Sequence, residues 1–215
     1  MLERTRIKIC GLTREADVQA AVEAGADAVG FVLWQPSPRA VTVERAQALA
    51  RDLPPFVAPV CLFVNAEAAL VKRATQALPH ALLQFHGDET PADCEAWERP
   101  YLRAVRMRTG VSLLDFAARF ASAAALLLDA DVQGYGGGGK AFDWSLIPAD
   151  VPRPVVLSGG LNPANVTDGV LHVRPWAVDV SSGVEAAKGL KDARLIREFC
   201  EAVREADARR ADSTG

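Results

Sequence analysis

Eight short apolar runs, each followed by a longer stretch of mixed polarity, recur along this chain at a near-constant interval. They are Arg6 to Cys10, Ala28 to Leu33, Pro59 to Val64, Ala81 to Phe85, Tyr101 to Val105, Ala124 to Asp129, Pro154 to Ser158 and Ala177 to Val180. Most are continuous rather than alternating, the pattern of parallel strands covered on both faces. Seven steps carry the chain from Arg6 to Ala177, about 24 residues a step, close to one minimal strand–helix unit. Eight such units without a break in composition predict an α/β fold, a single (βα)8 or TIM barrel; an open doubly wound sheet is the second choice. The chain has 215 residues. A typical barrel has about 250, so the loops must be short.

Helix-like segments fill the gaps: Arg14 to Ala24, Thr42 to Leu53, Ala66 to Leu78, and a last one from Asp192 to about Arg204 with Leu195, Ile196, Phe199 and Val203 on one side. Thr13 is placed to cap the first helix and Gly25 to end it. Thr90 before Pro91 opens the fourth in the favoured order. The barrel domain is expected to span 1–205, and the polar residues 206–215 to form a frayed tail.

Composition narrows the function classes. Half the residues are apolar and the formal charge is −3, from 24 basic and 27 acidic residues. Disorder and fibrous folds are excluded, and nucleic acid, which calls for a strongly basic surface, is not the expected partner. No apolar run reaches the ~18 residues of a membrane span. The Met1-Leu2-Glu3-Arg4 start leads straight into a strand, so a cytoplasmic location is expected. Cys10, Cys61, Cys94 and Cys200 are widely spaced, which suggests neither a metal site nor disulfides, and the thiols are expected to be free.

In a barrel, chemistry sits where strands end. Lys8 and Cys10 share one face of the first strand and Ile7 and Ile9 the other. If the isoleucines pack on helices, Cys10 points into the mouth, where a nearby cation such as Lys8 could lower its pKa and make it a nucleophile or base. Taken alone, such a thiol is more often a buried small apolar group. Asp129 closes the wholly apolar Leu126-Leu127-Leu128. A carboxylate buried there without a partner is costly and holds its proton, which suits a general acid; a helix cap is an equal alternative. Asp179 ends the eighth strand in the same way. His86 follows Leu82-Leu83-Gln84-Phe85 with Gln84 beneath it on the inward side; a structural histidine is the plainer reading. Arg39, in Pro36-Ser37-Pro38-Arg39, lies in a loop stiffened by two prolines, and a fixed guanidinium suits a carboxylate ligand. A solvated surface arginine is the alternative.

Two glycine-bearing loops suggest phosphate: Ser158-Gly159-Gly160-Leu161-Asn162 after the seventh strand and Ser181-Ser182-Gly183 after the eighth. These are the loops with which barrels commonly bind phosphate through backbone N–H groups. Gly134-Tyr135-Gly136-Gly137-Gly138-Gly139-Lys140-Ala141 imitates both a dinucleotide fingerprint and a P-loop, but neither context fits, and Ala141 stands where a P-loop needs a hydroxyl. Gly136, Gly137, Gly138 and Gly139 are expected to form a loop over the site.

Taken together, these segments resemble a known family. Lys8-Ile9-Cys10-Gly11-Leu12-Thr13, Gln84-Phe85-His86-Gly87, Gly137 to Trp144, Leu157-Ser158-Gly159-Gly160-Leu161 and Asp179 to Glu185 are similar, in order from about Arg6 to Phe199, to the signature segments of phosphoribosylanthranilate isomerase. Departures are Gly138 where Ser or Thr is usual, Ala141 where Thr is usual, and Phe85 in place of leucine. The resemblance implies a barrel without cofactor or metal and an Amadori rearrangement in tryptophan biosynthesis. N-(5-phosphoribosyl)anthranilate becomes 1-(2-carboxyphenylamino)-1-deoxyribulose 5-phosphate. It implies Cys10 as general base and Asp129 as general acid. Arg39 would hold the anthranilate carboxylate, and Gly159, Gly160, Ser181, Ser182 and Gly183 the phosphate. His86 and Asp179 are further candidates for substrate contact.

This chemistry requires the two pKa values to be driven apart, the acid kept protonated and the thiol ionised. The expected partner is this small phosphorylated substrate, and the expected assembly a monomer or weak homodimer. The competing readings are a barrel acting on another sugar phosphate and a phosphate-ligand-binding protein without chemistry.

Overall fold

The computed structural model describes residues 4–130 and 142–212. Its eight parallel strands hydrogen-bond in chain order and close on themselves, so the barrel expectation holds over the open sheet. They are β1 (Arg6–Cys10), β2 (Ala28–Val32), β3 (Ala58–Phe63), β4 (Leu82–Phe85), β5 (Tyr101–Met107), β6 (Ala125–Ala130), β7 (Val155–Leu157) and β8 (Ala177–Val180). Between and after them run α1 (Glu15–Glu23), α2 (Val43–Ala50), α3 (Ala68–Ala77), α4 (Pro91–Glu95), α5 (Leu113–Arg119), α6 (Val166–Val173) and α7 (Ala193–Asp212). Between β6 and β7 the described residues hold one 3-10 turn, Trp144–Leu146. A small hairpin, β9 (Glu185–Ala187) with β10 (Leu190–Lys191), follows β8. Among the described residues no helix is long and apolar enough to cross a membrane.

Strand alternation sorts the side chains into two layers. Ile7, Ile9, Val29, Phe31, Cys61, Phe63, Leu126 and Leu128 face outward and join the buried layer under the helices. Val60, Leu102, Ala104, Ala125, Leu127, Val156 and Ala177 fill the barrel interior. Each fully buried leucine or isoleucine stabilises the fold by roughly 1.5–3 kcal/mol, so these two layers carry the barrel. Cys10, Val32 and Leu62 form a smaller cluster nearer the strand C-termini, where the interior turns polar.

The helix ends follow local chemistry. Thr90 and Asp93 form a reciprocal capping box at α4, with Pro91 in the first position. Thr13, expected to cap α1, does not. The cap position is Arg14, without a side-chain bond, and the Thr13 hydroxyl donates instead to the Gly189 carbonyl at 3.1 Å. Gly25 lies just past α1 at φ +82°, as its role required. The expected loose tail from 206 is also corrected. α7 continues to Asp212, because Ala206 is wholly buried and Asp207 accepts from both the amide and the hydroxyl of Thr5, at 2.7 and 2.8 Å.

Candidate active site

The strand C-termini open onto a cavity lined by Cys10, Arg39, His86, Asp129, Ser158, Gly159, Gly160, Asp179, Ser181 and Ser182. Residues nominated from six separate loops and strands therefore meet in one place. Gly183 does not line the cavity. It sits against Leu161, where a Cβ would run into that residue's carbonyl, and so packs the loop after β8 onto the loop after β7. Gly136, Gly137, Gly138 and Gly139 lie outside the described residues.

Cys10 ends β1 and points inward beside Lys8. Lys8 is not reserved for the thiol: its ammonium donates to Asp179 at 2.8 Å in a buried ion pair across the β1–β8 seam. Ser158 Oγ lies 3.4 Å from the other oxygen of Asp179. The expected lowering of the thiol pKa is overturned. Burial pushes Cys10 above its ordinary 9.0; the Lys8 ammonium opposes this and the Asp179 carboxylate reinforces it. Desolvation wins because the cation is already shared. Sequence reading missed Gly30, which faces Cys10 in the β1–β2 register. A Cβ there would stand 2.7 Å from Cys10 Sγ, so only glycine leaves the thiol its place.

Asp129 is buried but partnered. His86 Nε2 lies 3.0 Å from its Oδ2, and the Ala130 amide donates to its Oδ1 at 2.9 Å. Behind the ring, Gln84 Nε2 lies 3.0 Å from His86 Nδ1. The three side chains form one line from the barrel interior to the cavity.

Arg39 is held less by its prolines than by a carboxylate. Its Nε and Nη2 donate to the two oxygens of Glu185 at 2.6 and 2.8 Å, the two-pronged geometry guanidinium favours. Lys191, whose side chain is wholly buried, donates to the same carboxylate and to the Ser181 carbonyl, both at 2.9 Å. Burial favours the protonated form of Glu185, but the two cations outweigh it and hold the carboxyl below its ordinary range. Burial draws Lys191 down, against the pull of Glu185. Two cations on one carboxylate leave one net positive charge beside the phosphate-type loops. Glu185 stands in a quoted signature segment without a role, and Lys191 carried no signal, because its partners are brought to it only by the β9–β10 hairpin.

The loop after β7 takes two consecutive left-handed residues, Gly159 at φ +74° and Gly160 at +68°. The Asn165 side chain donates to the Gly160 carbonyl at 3.0 Å and fixes the loop. The arrangement can grip one anion along the loop backbones, offer Arg39 to a second, and present a thiol and a carboxyl to whatever lies between.

Comparison with known proteins finds relatives along nearly the whole chain. Residues 7–202 match the sequence model of the family described as N-(5'phosphoribosyl)anthranilate (PRA) isomerase. The N-(5'-phosphoribosyl)anthranilate isomerase of Leptothrix cholodnii is 71% identical over 211 residues, 98% of this chain and 96% of that protein. The crystal structure of phosphoribosyl anthranilate isomerase from Thermotoga maritima is similar with a TM-score of 0.86 at 41% identity, covering 94% of this chain and 99% of that one. A phosphoribosyl anthranilate isomerase crystallised with reduced 1-(o-carboxyphenylamino)-1-deoxyribulose 5-phosphate gives 0.83 at 38% identity, with the same two coverages of 94% and 99%.

Proposed function

This chain belongs to the phosphoribosylanthranilate isomerase family, and from that premise we propose which of its residues carry the reaction. The reaction itself is the conversion of N-(5-phosphoribosyl)anthranilate to 1-(2-carboxyphenylamino)-1-deoxyribulose 5-phosphate in tryptophan biosynthesis. Substrate and product are isomers, so protons move and no redox co-reactant enters the balance.

Asp129 is the acid. Its protonated carboxyl gives a proton to the sugar ring oxygen as the C1–O bond breaks with its electron pair on oxygen, while the nitrogen lone pair forms a C1=N iminium. Cys10 is the base. Its thiolate takes the C2 proton, the freed pair forms C1=C2, and the iminium pair returns to nitrogen. The enolamine then gains a proton at C1 and loses its C2 hydroxyl proton, which gives the ketone. A thiol whose pKa is raised by burial is a scarcer thiolate but a stronger base, so the rate should follow its ionisation.

Gly159, Gly160, Ser181 and Ser182 hold the phosphate, and Gly183 lets their two loops close together. Arg39 meets the anthranilate carboxylate. Glu185 occupies its Nε and Nη2, and among the described residues Nη1 makes no hydrogen bond. With both ends held, the sugar lies over Cys10 and Asp129. Asp179 acts through Lys8 as part of the cavity wall. The observation that carries this reading is the shared cavity: a thiol from β1 and a carboxyl from β6 face the same space, between an arginine and two glycine-bearing loops.

The test is loss of fluorescence of freshly generated phosphoribosylanthranilate. Cys10→Ala and Asp129→Asn should each lower kcat by orders of magnitude while product still binds, and full activity in either removes its assigned role. Arg39→Ala should raise KM; an unchanged KM would point to another sugar phosphate. We further infer a cytoplasmic monomer or weak homodimer, which sedimentation at two concentrations and cell fractionation decide.

A further inference from the structure

Gln84 is wholly buried beneath His86, and only one end of its amide is bonded. Nε2 lies 3.0 Å from His86 Nδ1, while Oε1 has no hydrogen-bond partner among the described residues. An NH2 group that donates to Nδ1 requires that nitrogen bare, so the imidazole carries its proton on Nε2 and offers it to Asp129, 3.0 Å away. Asp129 then accepts from His86 and from the Ala130 amide. The same amide turned over also makes one bond: Oε1 accepts from Nδ1–H and the NH2 takes the orphaned position. Hydrogen-bond count does not choose between the two orientations. The proton on the imidazole does.

With Oε1 toward Nδ1, the relay holds one proton more. That proton sits on Asp129, with Nε2 accepting from the carboxyl, or on the imidazolium ready to pass along the same bond. We propose that Gln84 is a positioning residue for the isomerisation. Rotation of its side-chain amide switches the Gln84–His86–Asp129 line between a form in which Asp129 only accepts and a form that holds the proton for the sugar ring oxygen. Delivery of that proton leaves the carboxylate while the imidazole keeps its proton on Nδ1 and the amide stays turned, and water reprotonates Asp129 before the next turnover. The orientation seen here returns when Nδ1 gives its proton to water as the carboxyl proton passes back to Nε2. The inference rests on Asp129 being the acid.

Other charged groups surround the line. Cys10 on β1, Asp179 on β8 and Arg39 after β2 line the same cavity, and Lys8 pairs with Asp179. From β5, Arg103 donates to the carbonyls of Phe85 and Gly87 on either side of His86, with Glu89 at 3.6 Å from the guanidinium. None of them bonds the His86 ring, so Gln84 and Asp129 alone set its tautomer among the described residues.

The experiment combines nitrogen NMR of His86 with the pH profile of kcat in wild type, Gln84→Glu and Gln84→Met. In the wild type, the alkaline form should carry its proton on Nε2, and Nδ1 should gain one across the same limb over which kcat rises. Gln84→Glu offers only acceptors to Nδ1 and should move that limb to higher pH by about one unit. Gln84→Met offers no acceptor and should move it to lower pH, with kcat falling about tenfold or more. Opposite displacements support the switch. A purely structural role lowers kcat in both variants without moving the limb, and that result overturns the proposal. So does a wild-type ring already protonated on Nδ1 at high pH, which needs no variant to fold. Full activity of Asp129→Asn would instead sink the acid assignment, whereas the ring tautomer is read whether or not Asp129 is the acid.

Discussion

Replacing Gly30 by alanine tests whether the thiol's position, and not merely its presence, sets the rate. The added Cβ would stand 2.7 Å from Cys10 Sγ, 3.0 Å from Lys8 Nζ and 3.1 Å from Cys10 Cα. Heavy atoms without a bond between them settle near 3.5–4.0 Å, so the thiol must retreat by roughly 1 Å or β1 and β2 must part. The backbone contact blocks the easy escape, because Cys10 pairs directly with Gly30 across the two strands. A displacement of about 1 Å at a reacting group costs about 10²-fold in rate, and we expect kcat/KM for phosphoribosylanthranilate to fall by that order. Overpacking of this kind destabilises by about 1–3 kcal/mol. At about 2–4 °C per kcal/mol for a chain of this length, Tm should drop by a few degrees, leaving the protein folded at the assay temperature. The assay is fluorescence turnover, with Tm read on the same preparation. A kcat/KM within about threefold of wild type would refute the reasoning, since the thiol would then tolerate displacement.

Three further outcomes follow from the same geometry. Glu185→Ala leaves the Arg39 and Lys191 cations facing each other in a buried site; we expect a loss of about 3–5 kcal/mol in urea unfolding and a raised KM, and an unchanged KM would detach Arg39 from the substrate. Alkaline pH has two signatures. In activity, kcat/KM should climb with pH only while the acid keeps its proton, because burial raises the Cys10 thiol and its ionised fraction grows with alkalinity. In stability the sign is reversed: burial pushes Cys61 up to about 12, so an unfolded thiol releases its proton near 9.0 while the folded one keeps it. Stability is then full below 9.0 and is lost between there and about 12, a decline in Tm that Cys61→Ala should reduce. Deleting 206–215 removes Asp207 and leaves the buried Thr5 amide without its acceptor; we expect unfolding about 1–3 kcal/mol easier by denaturant titration, and no change would restore the view of these residues as a loose tail.

Much of the barrel was legible because its signal is local. Each apolar run is long enough to state its own strand, and alternation alone puts Cys10 on the opposite face from Ile7 and Ile9. The cavity residues were legible for the same reason, since each closes a strand or follows one. What escaped the sequence was pairing at a distance. Glu185 lies 146 residues from Arg39, and nothing near either shows that they meet. Lys8 read as a cation for the thiol beside it, yet its bond is to Asp179, 171 residues on. Thr13 has the residue type of a cap, but the Gly189 carbonyl, brought close by the closing hairpin, takes its hydroxyl. The tail looked polar in one dimension, and only the packed helix shows Ala206 buried and Asp207 bonded to the first strand's entry.

The seam between β1 and β8 orders events during synthesis. The segment that carries the thiol is made some 170 residues before its partner strand and the carboxylate that neutralises Lys8. Any nascent chain stopped short of Asp179 holds an interior ammonium with no counter-ion, which disfavours a settled barrel. Competence therefore arrives in one step, when the eighth strand slides in beside the first.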